Sequence, residues 1–179
     1  MAKFGDRFFF ALKPAAAALP QLATARRDHC PTHAIPDEHW HVTLDILDDV
    51  AAADRQLVDR LVTAGSRVES DSFAFALERI VGLGGWIGLR VGRRPAALMR
   101  LHAAIRAALL AVGLAPRRDW AFNPHLTLGY PHGAPFSHAI APIGWQAEEI
   151  VLIHSHLGET RHQEIGRWAL MPERQLSLF

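Results

Sequence analysis

Cysteine, tyrosine and lysine are nearly missing from this sequence: among 179 residues there is one Cys (Cys30), one Tyr (Tyr130) and two Lys (Lys3 and Lys13). A lone cysteine forms no internal disulfide and excludes the usual thiolate frameworks for structural zinc. Long apolar runs are lacking too. The longest, FFFAL and AALLAVGL, fall well short of the roughly 20 residues a membrane-spanning helix needs. The opening MAKFGDRFFFALKP meets Asp6 and Arg7 before its apolar run and is a poor secretory signal. A soluble cytoplasmic protein without membrane contact is therefore expected. Walker A, dinucleotide and HExxH motifs are all absent, so no nucleotide cofactor or zincin-type metal centre is indicated. Nor is there an excess of one charge, the net value being +1.

What is present is a chain that is 50% hydrophobic, enough for a substantial core in one well-packed domain over residues 1–179 or in two closely packed lobes. Eight arginines lie between Arg79 and Arg118 without one acidic residue among them. The planar guanidinium suits phosphate recognition, although a solvated helix face is the plainer reading of such a run.

Strands and helices alternate along the chain. Arg7 to Leu12 reads as a strand, and Pro14 opens a helix reaching about Arg27, with Pro20 a possible kink. After a loop over residues 28–39 come a strand from His41 to Leu47 and an amphipathic helix from Ala51 to Ala64 that stops at Gly65. Strands follow at Phe73 to Glu78 and Trp86 to Val91. In the helix from Pro95 to Val112, the residues Leu98, Leu101, Ile105, Ala108, Leu109 and Val112 recur at helical spacing before Gly113. A strand from His125 to Tyr130, a loop from Pro131 to Gly144, and strands at Glu149 to Leu157 and Glu164 to Leu170 complete the expected order.

Two segments nearly repeat one another: HVTL from His41 and HLTL from His125. Residue frequencies predict about 0.05 such matches per chain, so a chance pair is on the order of one in a thousand, and an internal duplication is the better explanation. Strand alternation turns Val42, Leu44 and Ile46 to one face and His41, Thr43 and Asp45 to the other. Leu126 and Leu128 against His125 and Thr127 repeat the pattern, and Tyr130 would follow the leucines into the core. Two imidazoles with pKa values near 6.5 can act together as general base and general acid. Displacement at phosphorus needs this, because the attacking and leaving oxygens lie on opposite sides, and a hydroxyl beside each imidazole can donate to a non-bridging oxygen.

Taken together, RFFFAL, IPDEHWHVTLDIL, IVGLGGW, LMRLHAAIRAALLAVGL, FNPHLTLGY and VLIHSHLGETRHQEIGRWAL make the chain resemble the two-histidine phosphoesterase superfamily. Within it they resemble the 2′-5′ RNA ligase-like (LigT-like) RNA 2′,3′-cyclic phosphodiesterases. The resemblance implies an α+β fold of two pseudo-symmetric lobes of antiparallel strands and helices around a central cleft. It implies metal-independent hydrolysis of an RNA 2′,3′-cyclic phosphate to a terminal 2′-phosphate, with reverse 2′-5′ ligation possible. By analogy His125 activates water and His41 protonates the leaving 3′ oxygen, while Thr43 and Thr127 bind phosphate. No cofactor, metal or obligate protein partner is implied; the partner is an RNA end or a small cyclic phosphodiester. The chain departs from its relatives at Tyr130, where many have arginine, and at Asp45, which would either raise the pKa of His41 or be a solvated strand end.

Phe9, on the opposite strand face from Phe8 and Phe10, is a candidate for stacking a nucleobase, with core packing the competing reading. Ser155 sits at a position familiar from the family, between His154 and His156. The histidine groups 29/33/39/41 and 154/156/162 could be read as zinc ligands, but that reading leaves the paired HxTL segments without a use. Other readings are a phosphodiesterase for ADP-ribose 1″,2″-cyclic phosphate or 2′,5′-oligoadenylate, and a non-catalytic RNA-end-binding module.

Overall fold

The computed structural model describes residues 5–93 and 95–172. Eight strands form one antiparallel sheet: β1 (Gly5–Leu12), β2 (Val42–Ile46), β3 (Phe73–Gly82), β4 (Ile87–Arg90), β5 (His125–Gly129), β6 (Phe136–Ala147), β7 (Glu149–Leu157) and β8 (Arg161–Ala169). Their order across the sheet is β6-β3-β4-β5-β2-β1-β7-β8. Read outward from the β2/β5 seam, each half presents an HxT strand, an antiparallel neighbour joined to it through a helix, a long third strand and an edge. The halves are registered where Val42 faces Leu126.

Three helices accompany the sheet: α1 (Leu19–His29), α2 (Arg55–Ser66) and α3 (Ala96–Ala111). Leu98, Leu101, Ile105 and Leu109 of α3 recur every three or four residues and are all buried, as this period requires of a helix with one core-facing side. They join Leu61 and Ala64 of α2, Leu22 of α1, and Phe8, Phe10, Val42, Leu44, Leu126 and Leu128 of the strands in one large apolar cluster. Burying each such side chain fully is worth roughly 1.5–3 kcal/mol. The other sheet face holds a small cluster of Phe9, Ala11, Ile46, Val151 and Ile153, which leaves room for a cleft. Among the described residues no helix is long and apolar enough to cross a membrane.

Several boundaries depart from the sequence reading. Pro20 lies in the first turn of α1 and starts that helix, because the N–H that proline lacks has no intrahelical partner there. Asp54 sets the start of α2, its carboxylate accepting from the Leu57 N–H at 2.7 Å. Gly65 belongs to this helix: a Cβ there would lie 2.3 Å from the Trp168 ring, so the glycine makes room for the indole. The expected loop from Pro131 to Gly144 is largely the edge strand β6. Its pairing with β3 is broken between Ala139 and Ile143, and Pro142 occupies that break, where its missing donor costs no ladder bond.

The consequential departure is a pair of β-bulges. Opposite β1, Asp45 faces Phe10 but Thr43 already faces Ala11, so Leu44 is an extra residue in β2. Opposite β4, Gly129 faces Ile87 and Thr127 faces Gly88, so Leu128 is extra in β5. An extra residue reverses the alternation beyond it. Asp45 therefore turns away from the cleft and is fully buried, with Oδ2 3.9 Å from both His102 and Arg106 of α3. It is neither a solvated strand end nor a cleft-side neighbour of His41. Oδ1 accepts from the Ile46 N–H at 2.9 Å while Oδ2 has no hydrogen-bond partner, and burial raises this carboxyl's pKa against the pull of His102 and Arg106. Past the bulges, Ile46 and Tyr130 reach the cleft face, where alternation had sent both to the core.

Where β2 has Asp45, β5 has Gly129, because the chain at residues 30–34 crosses closely behind it. A Cβ on Gly129 would meet the His33 carbonyl oxygen at 2.4 Å and Cys30 Sγ at 2.5 Å. Gly129→Ala should accordingly lower unfolding stability by about 1–3 kcal/mol, the usual cost of overpacking, in a urea titration. An unchanged midpoint and slope would show that this crossing does not constrain the bulge.

Candidate active site

The bulged strands set His41 and Thr43 against His125 and Thr127 in a cleft of about 350 Å³ on the open sheet face, where Phe9, Arg7, Ser155, His39 and His162 also line the wall. His41, Thr43, His125, Thr127 and Phe9 are thus in one place, while Asp45 is not among them. All four HxT side chains are half-buried while the leucines and valine between them are buried, as the alternation before each bulge demands.

Both imidazoles are held alike. His41 Nδ1 lies 2.6 Å from the His39 carbonyl oxygen and His125 Nδ1 lies 2.7 Å from that of Asn123. A carbonyl only accepts, so each Nδ1 carries the proton and each neutral ring keeps its lone pair on Nε2. Burial lowers the His41 pKa to about 3, opposed by the His39 carbonyl and assisted by His162, Lys13 and His125. His125 is lowered too, first by burial and then by Arg90, with the Asn123 carbonyl pulling the other way. His162, lowered to about 4 chiefly by burial, packs edge-on to His41 at 5.6 Å and stacks on His39 at 4.3 Å. His41, His125 and His162 are therefore neutral in the cleft without ligand.

The strand facing each HxT segment is also duplicated, which motif-level reading missed. Aligned on the bulges, FFALK of β1 matches WIGLR of β4: Ala11 and Gly88 face the threonines, and Leu12 and Leu89 face Val42 and Leu126. Lys13 and Arg90 then flank His41 and His125. Two residues before the small residue stand Phe9, centred 4.8 Å from the His41 ring, and Trp86, 5.0 Å from the His125 ring. Comparing the neighbouring strands as well as the HxTL segments exposes this match in the sequence itself.

Cationic charge, absent at Tyr130, enters elsewhere. Arg7 at the cleft wall binds Asp49 through Nε and Nη2 at 2.7 and 2.8 Å, and Arg117 binds the same carboxylate at 2.5 Å. Arg117 also donates from Nε to Asp48 Oδ1 at 3.2 Å, so two guanidiniums meet two carboxylates and Arg7 is held in place at the cleft wall. The two guanidiniums hold the Asp49 pKa down to about 2, the Arg7 hydrogen bond contributing most.

The histidines of the closing strands separate. His162 and Ser155 line the cleft, whereas His154 is behind the sheet, stacked on Phe8 and bonded to Asp6 Oδ1 at 2.6 Å. Among the described residues, the histidine and carboxylate group compact enough to hold a metal ion is Asp6, His154 and His156, whose donor atoms lie within 4.8 Å of one another. It is on the face opposite the cleft.

A family model described as the 2′-5′ RNA ligase superfamily matches residues 10–159. No curated protein matches significantly. Among solved structures, E. coli LigT in its apo form is similar at 24% identity and TM-score 0.71, the match covering 94% of this chain and 99% of LigT. A Thermus thermophilus protein reaches TM-score 0.75 at 18% identity, with 93% and 99% covered. The MHV ns2 PDE domain gives 0.53 at 16%, with 81% and 98% covered. At these identities the structural likeness establishes the fold.

The Arg7–Asp49–Arg117 bridge carries a pH signature. The folded-state pKa of Asp49 is depressed, so its stabilisation is complete above the unfolded value near 4 and disappears as pH falls through about 2. Wild type should exceed Asp49→Asn in unfolding free energy by on the order of 2 kcal/mol at neutral pH, the gap closing between pH 4 and 2. Equal stability at pH 7 would show that the bridge contributes nothing.

Proposed function

Because the chain belongs to the 2′-5′ RNA ligase superfamily, we propose that it hydrolyses the 2′,3′-cyclic phosphate at an RNA end to a terminal 2′-phosphate, using its two histidines and no metal. The observation carrying this reading is the opposition of two identically held imidazoles, each with its own threonine, across one cleft. In-line displacement at phosphorus needs a proton removed from the attacking water on one side and one delivered to the leaving oxygen on the other. The pair supplies both, so a Lewis acid has no task left to perform.

In the order suggested by analogy, His125 Nε2 takes the proton from water as the water oxygen bonds to phosphorus. The P–O3′ bond breaks and His41 gives its proton to the 3′ oxygen, leaving the phosphate on O2′. His41 must first gain that proton. Burial opposes this in the empty cleft, whereas an anionic phosphodiester beside the ring stabilises imidazolium and raises the pKa. The substrate thus helps to charge its own general acid. Thr43 and Thr127 donate to the non-bridging oxygens as negative charge grows. Phe9, only 4% exposed, acts beneath His41 as a support for the ring. In 2′-5′ ligation a 5′-hydroxyl takes the place of water: it loses its proton to one histidine as its oxygen bonds to the phosphorus of the 2′,3′-cyclic phosphate, the P–O3′ bond breaks, and the 3′ oxygen takes a proton from the other, leaving a 2′-5′ linkage.

The test is incubation with a short RNA ending in a 2′,3′-cyclic phosphate, in excess EDTA, with 2′- and 3′-phosphate products resolved. The 2′-phosphate should appear, and His41→Ala or His125→Ala should each reduce turnover by about 10²–10⁴. Loss of activity in EDTA, a 3′-phosphate product, or near-normal turnover by either variant would overturn the reading.

A further inference from the structure

Phe9 and Trp86 hold equivalent places in the two halves, but the halves use them differently. Phe9 is 4% exposed and closed in by Ile46, Val151 and Ile153. Trp86 is half-buried: it stands beside His125 at 5.0 Å and forms part of the wall of a separate cavity of about 210 Å³ that Phe136 also lines. Both rings are seated on glycines. A Cβ on Gly88 would lie 2.3 Å from the Trp86 indole, and one on Gly82 would lie 2.4 Å from the Phe136 ring. His29 and His132 supply polar edges to the same cavity.

From this asymmetry we infer that the Trp86 cavity is a nucleobase subsite, and that the base of the terminal nucleotide stacks on the indole when its phosphate lies between His41 and His125. The inference rests on the RNA-end reading above. Charge favours this side. No carboxylate is among the residues lining the Trp86 cavity, whereas the larger cavity beyond His162 has Asp37, Glu38, Glu148, Glu149 and Glu164 against Lys13 and Arg167. That excess of negative charge repels RNA phosphates, so the polynucleotide approaches from the Trp86 side. Stacking needs only an exposed π-face, which accommodates any of the four bases at the end, and the histidine edges then discriminate among them.

The experiment compares adenosine 2′,3′-cyclic phosphate with methyl ribofuranoside 2′,3′-cyclic phosphate, which has no base, in wild type, Trp86→Ala and Trp86→Phe. Trp86→Ala should raise KM for the adenosine substrate about 5- to 150-fold, the usual worth of one stacked base. Its kcat should stay nearly constant, its kcat/KM on the baseless substrate should be unchanged, and Trp86→Phe should recover most of the loss. Equal losses on both substrates would mean that Trp86 only props His125, and no loss on either would place the base elsewhere; both outcomes overturn the inference. Should wild type hydrolyse neither substrate, the RNA-end reading fails separately, and calorimetric titration with adenosine 2′-monophosphate decides the subsite. Weaker binding by Trp86→Ala upholds it, while equal binding or none by wild type overturns it.

Discussion

A strand offers two faces, and the single extra residue after each HxT segment decides which face every later side chain receives. Leu44 and Leu128 are those residues. Each bulge lets a histidine and a threonine look into the cleft while the next polar position is removed from it, to α3 in the case of Asp45 and to a glycine beneath a crossing chain in the case of Gly129. The same step brings Ile46 and Tyr130 inward. Without it Asp45 would follow Thr43 along the cleft face and bring a carboxylate to the wall that receives the anion.

The electrostatic state of the cleft follows from that arrangement. With the carboxylate gone, burial and neighbouring positive charge favour neutral rings and outweigh the carbonyls of His39 and Asn123, which pull the other way. The carbonyls of His39 and Asn123 choose the tautomer. A neutral, correctly tautomerised pair with Lys13 beside one ring and Arg90 beside the other is poised to receive an anion, and the anion itself supplies the field that lets one ring become an acid. Function thus depends on what the bulges exclude as much as on what they present.

Much of this was legible in the chain. The HxTL pair located the cleft, its spacing implied two related halves, and α3 could be read from the period of its leucines. The bulges were not legible, because HVTLDI alternates as well as an unbroken strand does and the extra residue shows only in the partner's register. Edge strand β6 was hidden by Pro142 and Gly144, which signal a loop in a central strand but are tolerated at an interrupted edge. The match between FFALK and WIGLR was visible yet degenerate, since aromatic, small and basic classes are shared where identities are not. Trp86 and Lys13 went unnoticed for that reason, and Arg90 was read only as one of the eight arginines between Arg79 and Arg118. Arg7 was read only as part of a strand, because its position at the cleft depends on long-range pairing with Ser155.

The account's central claim is that both cleft histidines are neutral with Nδ1 protonated until an anion enters. Nitrogen–proton correlation spectra of protein labelled with ¹⁵N-histidine, assigned through His41→Asn and His125→Asn, test it directly at pH 7 with and without saturating inorganic phosphate. Two neutral Nδ1–H rings in the free protein, one of them turning to imidazolium when phosphate binds, is the predicted result. An imidazolium at either position in the free protein, an Nε2–H tautomer, or rings that ignore phosphate would contradict it.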